Sequence, residues 1–182
     1  TIAYLGSIYR GYQDPEPLFI ALKELKEEGK ITSNQFEVVF AGSNSNVADI
    51  AKKHNVEDFY SYAGFLPREK ALQIQYDADA LLFLEFDNPK VKGVLTGKLF
   101  EYLYVGRQIW AIGCTNNTSA GQLIENCNAG ICFGNDIEKI KNFILNVISN
   151  SNFLEYNKNF DQIEEFSRKK QATRILELIE GL

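Results

Sequence analysis

Histidine and cysteine are scarce in this chain of 182 residues, and basic charge is not in excess. With one histidine and three cysteines, no familiar zinc-binding pattern can be assembled, and at least one cysteine must stay unpaired. The 19 basic residues are outnumbered by 24 acidic ones, so the net charge of -5 gives no general attraction to nucleic acid or to anionic lipid. We therefore expect neither a metal site nor nucleic-acid binding.

Long apolar runs and methionine are absent as well. The mainly apolar stretch 78–86 is far shorter than the ~20 residues that cross a bilayer, so no transmembrane segment is predicted. No signal-peptide pattern is found, and we interpret the cysteines as small buried residues of a cytoplasmic protein, which could lie against the inner face of the membrane in its full-length form. Because methionine is missing and the chain opens on a strand-like sequence, we expect a piece of a longer protein.

What the chain does contain is a regular alternation of two hydrophobic patterns. Strands are predicted at residues 2–5, 36–40, 59–62, 80–86, 108–112 and 131–133, and helices at about 14–29, 46–54, 67–76, 97–105, 119–127 and 137–149, with Asp14 as the first N-cap. This predicts an α/β fold: a doubly wound, Rossmann-like parallel sheet of about six strands with helices on both faces. Residues 1–150 form this domain, and residues 151–182 are expected to form a C-terminal helical extension packed on it, with an apolar stripe of Ile175, Leu178 and Ile179.

The loop after the first strand is one candidate site, because ligands of such sheets bind beyond the carboxyl ends of the strands. Gly6, Ser7 and Gly11 let the backbone approach a ligand, and the Arg10 guanidinium could bind phosphate. No G-x-G-x-x-G pattern is present, so a simple turn with a surface arginine is the competing interpretation.

A second candidate site lies where the fourth helix begins. Three residues separate Gly93 from Gly97 and Leu99 follows Lys98, so the spacing excludes a phosphate-binding P-loop. We still expect free backbone N–H groups at Gly97, Lys98 and Leu99 beside the Lys98 ammonium, which predicts an anion site. Glu101, one turn further on, binds either a ligand hydroxyl or solvent on an open helix face.

Three weaker signals lie elsewhere in the chain. Phe65, after the third strand, is either a wall of a base pocket or a core residue. Glu85 and Asp87, after the fourth strand, are either catalytic carboxylates or part of a polar loop. His54 lies in a lysine-rich helix and is expected to be exposed, which gives a Ser-His-Asp triad little support.

The order and spacing of several segments resemble the C-terminal half of group-1 glycosyltransferases with the GT-B fold. These segments are residues 4–9, 40–42, 64–67, 78–80, 129–130 and, most specifically, the Lys-Leu-Phe-Glu-Tyr-Leu sequence of residues 98–103. The resemblance implies that this half binds a nucleoside-diphosphate sugar as donor substrate, without a cofactor, while an N-terminal half of the same polypeptide binds the acceptor. The full-length enzyme would transfer a sugar to a glycan, lipid or other hydroxyl in polysaccharide biosynthesis, and the isolated half is expected to be inactive.

The resemblance also implies roles for individual residues. Glu101 would hold the ribose hydroxyls, and Arg10 and Lys98 would be the catalytic cations that steady the leaving diphosphate. The wider donor site would comprise Gly6, Ser7, Phe65, Leu66, Thr96, Gly97 and Leu99.

Two positions depart from the family pattern. Ser7 stands where many members carry arginine. Many members also carry two glutamates separated by seven residues, the first of which contacts the transferred sugar, but eight positions before Glu101 this chain has Gly93. Either the backbone N–H groups around Gly93 and Val94 contact the donor sugar instead, or the domain selects its donor sugar less strictly. A non-catalytic doubly wound module that binds a nucleotide or an anion in a regulatory role is the alternative.

Overall fold

The computed structural model of the chain describes residues 1–43, 46–86, 95–150 and 157–181. The strands are β1 (Ile2–Leu5), β2 (Val38–Ala41), β3 (Tyr60–Gly64), β4 (Ala80–Leu84), β5 (Gln108–Ile112) and β6 (Gly130–Gly134). The helices are α1 (Glu16–Glu27), α2 (Val47–Lys53), α3 (Arg68–Asp77), α4 (Gly97–Val105), α5 (Ser119–Asn126), α6 (Ile137–Ser149), α7 (Phe160–Glu164) and α8 (Arg168–Glu180).

The six strands form one parallel sheet in the order β3-β2-β1-β4-β5-β6. Every residue of β1, β4 and β5 is buried, which is why these strands are apolar at successive positions rather than at alternate ones. The strand order reverses between β1 and β4, which therefore lie side by side at the centre of the sheet. The predicted doubly wound α/β fold is confirmed.

Helices cover both faces of the sheet and create two apolar cores. One core joins α1, α2 and α6 to side chains such as Tyr4, Phe40 and Trp110. The other joins α3, α4, α5 and α7 to the opposite face, where Leu5 and Phe83 point. The alternation of strand side chains between the two faces places consecutive residues such as Tyr4 and Leu5 in different cores.

Several element ends differ from the sequence prediction by one or two residues, and contacts in the structure account for two of the differences. The fourth strand ends at Leu84 and not at Phe86, because Phe86 leaves the sheet to stack on the ring of Tyr12, with centroids 4.9 Å apart. Asp14 does not occupy the N-cap position of α1, which is Pro15. Its carboxylate instead accepts a hydrogen bond from the backbone N–H of Glu16, at 2.8 Å.

The C-terminal segment contains two helices with different surroundings. In α7, Ile163 is buried in the second core, and just beyond it the Phe166 ring lies 5.6 Å from the ring of Phe100. In α8 no residue is buried, and its apolar stripe is exposed. The division of the chain at residue 150 stays a prediction. Within the described part of the chain, no helix is both long enough and apolar enough to span a membrane.

The prediction that His54 is exposed was wrong. The side chain follows α2, which packs beside α1, and the residue is buried with its Nε2 atom 2.8 Å from Oε1 of Glu16. A carboxylate supplied by the neighbouring helix could not be anticipated from the lysine-rich sequence around the histidine. The interpretation of the cysteines holds for Cys114 and Cys127, which are buried, whereas Cys132 is partly exposed.

Candidate functional site

The candidate site lies at the carboxyl ends of β1 and β4, where the strand order reverses. Chains that leave two adjacent strands in opposite directions open a crevice between their loops, and ligands of doubly wound folds bind in it. The buried side chain of Gln13 ties the first loop to the last residue of β4: its amide donates to the carbonyl of Leu84 at 2.8 Å, and its Oε1 accepts from the N–H of Tyr9 at 3.2 Å. The first loop is thus fixed against the end of β4.

Lys98 connects the start of α4 to the end of β1. Its Nζ atom lies 3.7 Å from the centre of the Tyr4 ring, a distance at which the ring face attracts an ammonium. A Cβ atom on Gly6 would lie 3.0 Å from both Nζ and Cε of Lys98. The two sites predicted separately, the first loop and the start of α4, therefore meet at Gly6 and Lys98.

The backbone at the end of β1 requires glycine for two reasons. Gly6 has φ +119°, a conformation that side-chain-bearing residues rarely adopt, and Lys98 fills the space that a side chain would need. Gly42, at the end of β2, has φ +108°, and a Cβ there would approach the carbonyl oxygen of Gly6 to 2.5 Å. These glycines let two loops and one cationic side chain pack closely at the same edge.

Burial changes the acidity of the Lys98 ammonium. It lowers the pKa of Lys98 to about 7, while the negative charge of Glu101 acts in the opposite direction. The group therefore exists in both protonation states near neutral pH. An anion that enters the crevice would favour the ammonium form and raise the pKa again.

The start of α4 has backbone groups available for a ligand. Thr96 occupies the N-cap position with an extended backbone, but its hydroxyl does not cap the helix. Its Oγ1 atom is buried and has no hydrogen-bond partner within the described ranges. The N–H of Leu99 donates to the carbonyl of Thr96 at 3.1 Å, so the expectation that it is free was wrong. The N–H groups of Gly97 and Lys98 have no acceptor in the part of the chain that the structure describes.

Glu101 lies half-buried one turn further along α4, and its two carboxylate oxygens have different surroundings. Oε1 accepts a hydrogen bond from the side-chain amide of Gln75, at 2.6 Å. Oε2 lies 4.0 Å from a guanidinium nitrogen of Arg68, whose side chain is largely exposed. The carboxylate is therefore oriented by α3 and not simply solvated on an open helix face.

Tyr102 fixes α4 against the sheet. Its fully buried hydroxyl accepts a hydrogen bond from the N–H of Leu5 at 3.1 Å. Burial raises the pKa of Tyr102, so the group stays neutral. This bond fixes the position of α4 relative to the end of β1, and therefore also the position of Lys98.

Phe65 and Leu66 occupy the loop after β3. Phe65 is 88% exposed, so its interpretation as a core residue was wrong, whereas Leu66 packs partly against the second core. This loop leads into α3, which begins at Arg68 and supplies the two groups that surround Glu101. The loop after β3 and α4 thus belong to one edge of the molecule.

Arg10 is exposed and lines a shallow pocket with the first residues of α1 and α2, among them Glu16 and Asp49. Ser7 is exposed too, and its carbonyl accepts a hydrogen bond from the Tyr4 hydroxyl at 2.8 Å. The roles of Arg10 and Ser7 towards a phosphate stay predictions. Asp87, Gly93 and Val94 lie outside the described residues.

Sequence reasoning missed Gln75, Gln13 and Tyr102 as site-forming residues. Gln75 is 2% exposed. It lies on the side of α3 that carries Ala71 and Ile74, which pack against the second core. A polar residue among apolar helix positions was a usable signal, because a buried amide needs a partner. The identity of that partner depends on how α3 and α4 pack.

Several solved structures share this fold across almost the whole chain. HepE from Anabaena, in complex with UDP, superposes with a TM-score of 0.74 at 13% identity, over 100% of this chain and 49% of HepE. The lipopolysaccharide outer core galactosyltransferase WaaB gives 0.64 at 15% identity, over 99% of this chain and 48% of WaaB. The pneumococcal O-GlcNAc transferase GtfA, in complex with UDP and GlcNAc, gives 0.61 at 18% identity, over 99% and 35%.

The chain has the fold of one half of a GT-B glycosyltransferase. It spans between about a third and a half of the length of these solved chains. No protein-family model matches the sequence, and no curated protein matches it at a significant level. The resemblance of the sequence to the C-terminal half of GT-B enzymes is thus confirmed at the level of the fold.

Proposed function

We propose that the chain is the C-terminal, donor-binding half of a group-1 glycosyltransferase and that it binds a nucleoside-diphosphate sugar between β1 and α4. The observation that carries this proposal is the position of Lys98, which reaches from the first turn of α4 to Gly6 at the end of β1. The start of the same helix carries two backbone N–H groups and the Thr96 hydroxyl, which have no partners among the described residues. The UDP bound to HepE and to GtfA supports a uridine nucleotide as the first ligand to test.

The diphosphate would bind at the start of α4. The N–H groups of Gly97 and Lys98 and the positive end of the helix dipole favour an anion there, and the Thr96 hydroxyl offers a further donor. The Lys98 ammonium would supply a full positive charge, and Arg10 a second one from the first loop. The two backbone N–H groups belong to α4 and are therefore in place before the ligand arrives.

The nucleoside would extend from the diphosphate towards α3. Glu101 would accept hydrogen bonds from the two ribose hydroxyls, because Gln75 already holds one of its oxygens and orients the other. The exposed ring of Phe65, with Leu66 behind it, would border the base. The backbone at Gly93 and Val94 would contact the donor sugar.

This arrangement suits the departure of a nucleoside diphosphate. When the bond between the sugar and the diphosphate breaks, negative charge develops on the leaving phosphate oxygens. Fixed donors and a cation at those oxygens stabilise the transition state more than the ground state, which is what accelerates the reaction. In its protonated form Lys98 would provide this charge without a metal ion.

The acceptor would bind to an N-terminal half of the same polypeptide. We infer that the whole protein is a cytoplasmic enzyme that transfers a sugar to a glycan, lipid or other hydroxyl in polysaccharide biosynthesis. The named activity of WaaB on lipopolysaccharide supports that setting. The chain by itself is expected to bind the donor without transferring the sugar.

Calorimetric titration tests the proposal and separates it from a non-catalytic anion-binding module. UDP, GDP, ADP, CMP, uridine and inorganic phosphate are titrated into the chain, with thermal unfolding measured in parallel. A donor-binding half prefers one nucleoside diphosphate to phosphate, and that ligand at 100 times its Kd stabilises the chain by ~2.7 kcal/mol. Equal binding of every phosphate-containing ligand, or no nucleotide binding, contradicts the proposal.

A further inference from the structure

Two of the three cysteines lie side by side at one end of the sheet. Cys114 follows β5 and Cys132 lies in β6, and their sulfurs are 3.5 Å apart although 18 residues separate them in sequence. The neighbouring backbone is held by hydrogen bonds, among them the one from the N–H of Gly134 to the carbonyl of Cys114, at 2.8 Å. A disulfide bond measures about 2.0 Å, so an approach of about 1.5 Å would bring the sulfurs into bonding range.

The two thiols differ in exposure and acidity. Cys114 is fully buried, whereas Cys132 is partly exposed. A hydrogen bond from Cys114 to the thiolate lowers the pKa of Cys132, and the nearby ammonium of Lys139 acts in the same direction against burial. Because the thiolate is the reactive form of cysteine, Cys132 is the member of the pair that reacts first.

We propose that Cys114 and Cys132 form a reversible redox pair that reacts with small-molecule disulfides such as oxidised glutathione. The Cys132 thiolate attacks one sulfur of the oxidant, which forms a mixed disulfide and releases one glutathione thiolate. The Cys114 sulfur, losing its proton to that thiolate, then attacks the Cys132 sulfur and releases the second glutathione. In total, two cysteine thiols are oxidised to one disulfide, and one oxidised glutathione is reduced to two glutathione thiols.

The surroundings of Cys114 tolerate the loss of its S–H group. Its sulfur lies 3.3 Å from the hydroxyl oxygen of Thr118, the N-cap of α5. The same hydroxyl accepts a hydrogen bond from the N–H of Gly121 at 3.1 Å and donates one to a carboxylate oxygen of Glu85, also at 3.1 Å. Thr118 therefore keeps its other partners when Cys114 is oxidised, and no buried donor is left unpaired.

Cys127 is the matched control within the same chain. It is buried at the end of α5, and burial raises its pKa, so it should react with neither the oxidant nor the other cysteines. The inference is independent of the proposed function, because it concerns only the thiols and the oxidant.

The test uses the whole folded chain, incubated with oxidised glutathione and then analysed by thiol titration and intact mass. We expect the number of free thiols to fall from three to one and the mass of the chain to fall by two hydrogen atoms. A dithiol reductant should restore the two thiols. Trypsin leaves all three cysteines on the peptide 108–139, so cleavage after Glu125 is needed to separate Cys114 from the other two. The same treatment of a Cys127→Ala chain then identifies the partner of Cys114 as Cys132.

Two further variants test the order of the steps. Cys114→Ala should stop at a glutathione adduct on Cys132, and Cys132→Ala should not react, because only the buried thiols remain. The proposal is overturned if the unmodified chain does not react, keeps a stable glutathione adduct, links Cys127 or forms covalent dimers. Should either variant fail to fold, the peptide map of the oxidised Cys127→Ala chain decides, because only Cys132 can then be linked to Cys114.

Discussion

The ammonium nitrogen of Lys98, in the first turn of α4, lies 3.7 Å from the centre of the Tyr4 ring in β1. This contact joins two segments that lie more than ninety residues apart in sequence, across the point where the strand order reverses. It also takes the lysine out of solvent, which lowers its pKa to about 7.

The stability of the ligand-free chain should rise with pH between about 7 and 10. In this range Lys98 is neutral in the folded chain but protonated in the unfolded one, so the unfolded state binds more protons and raising the pH favours folding. One such proton contributes up to about 1.4 kcal/mol per pH unit. Urea unfolding across this range, compared with Lys98→Met, measures the contribution. An unchanged slope in the variant would contradict the lowered pKa.

The affinity for a nucleoside diphosphate should fall as the pH rises above 7. Binding then requires Lys98 to take up a proton, and the affinity decreases by up to about tenfold per pH unit. The phosphates of the ligand are already ionised in this range, since the last phosphate pKa is about 6. Calorimetry in buffers with different ionisation enthalpies measures the proton uptake directly. Lys98→Arg, which stays charged, should abolish the uptake, and uptake that persists in this variant would assign the proton to another group.

Replacement of Glu101 by alanine should weaken nucleoside-diphosphate binding by roughly 1.5–3 kcal/mol, as for hydrogen bonds to charged groups. Inorganic phosphate should bind as before, because it does not reach the ribose site. Gln75→Leu should weaken the nucleotide less, by about 1 kcal/mol, since the carboxylate remains but loses the donor that orients it. Titration of UDP and phosphate into both variants checks this order. Equal nucleotide affinity in Glu101→Ala and the parent would make Glu101 a structural residue.

Gly6→Ala should destabilise the chain more than Gly11→Ala. Both glycines have positive φ, so alanine at either position costs roughly 1–2 kcal/mol of backbone strain. Only at Gly6 would the new Cβ also meet Lys98, whereas no atom lies within 4 Å of a Cβ on Gly11. In a Lys98→Ala background the difference between the two substitutions should shrink. Thermal unfolding of the four variants measures it, and an unchanged difference would refute the contact.

Much of the fold was predictable, because a fully buried parallel sheet imposes apolar strands and each helix carries its own periodicity. The bounds of α4 and α6, for example, match the sequence prediction. The site was predictable only in part: glycine and a helix start mark the loops, but nothing local shows that Lys98 turns back to Tyr4. The partners of Glu101 and His54 come from neighbouring helices, so they depend on packing that one sequence does not reveal.

The role of Arg10 can be separated from that of the helix start by salt. If Arg10 contacts the diphosphate from the first loop, Arg10→Ala should weaken nucleoside diphosphates but not the corresponding nucleoside. Because Arg10 is exposed, its attraction is screened by salt, and the deficit should shrink at high ionic strength. Lys98 is more buried than Arg10, so the deficit of Lys98→Gln should persist under the same conditions. Titration of UDP and uridine at low and high salt checks both variants. A loss that is equal for UDP and uridine would remove Arg10 from the phosphate site and leave it at the pocket between α1 and α2.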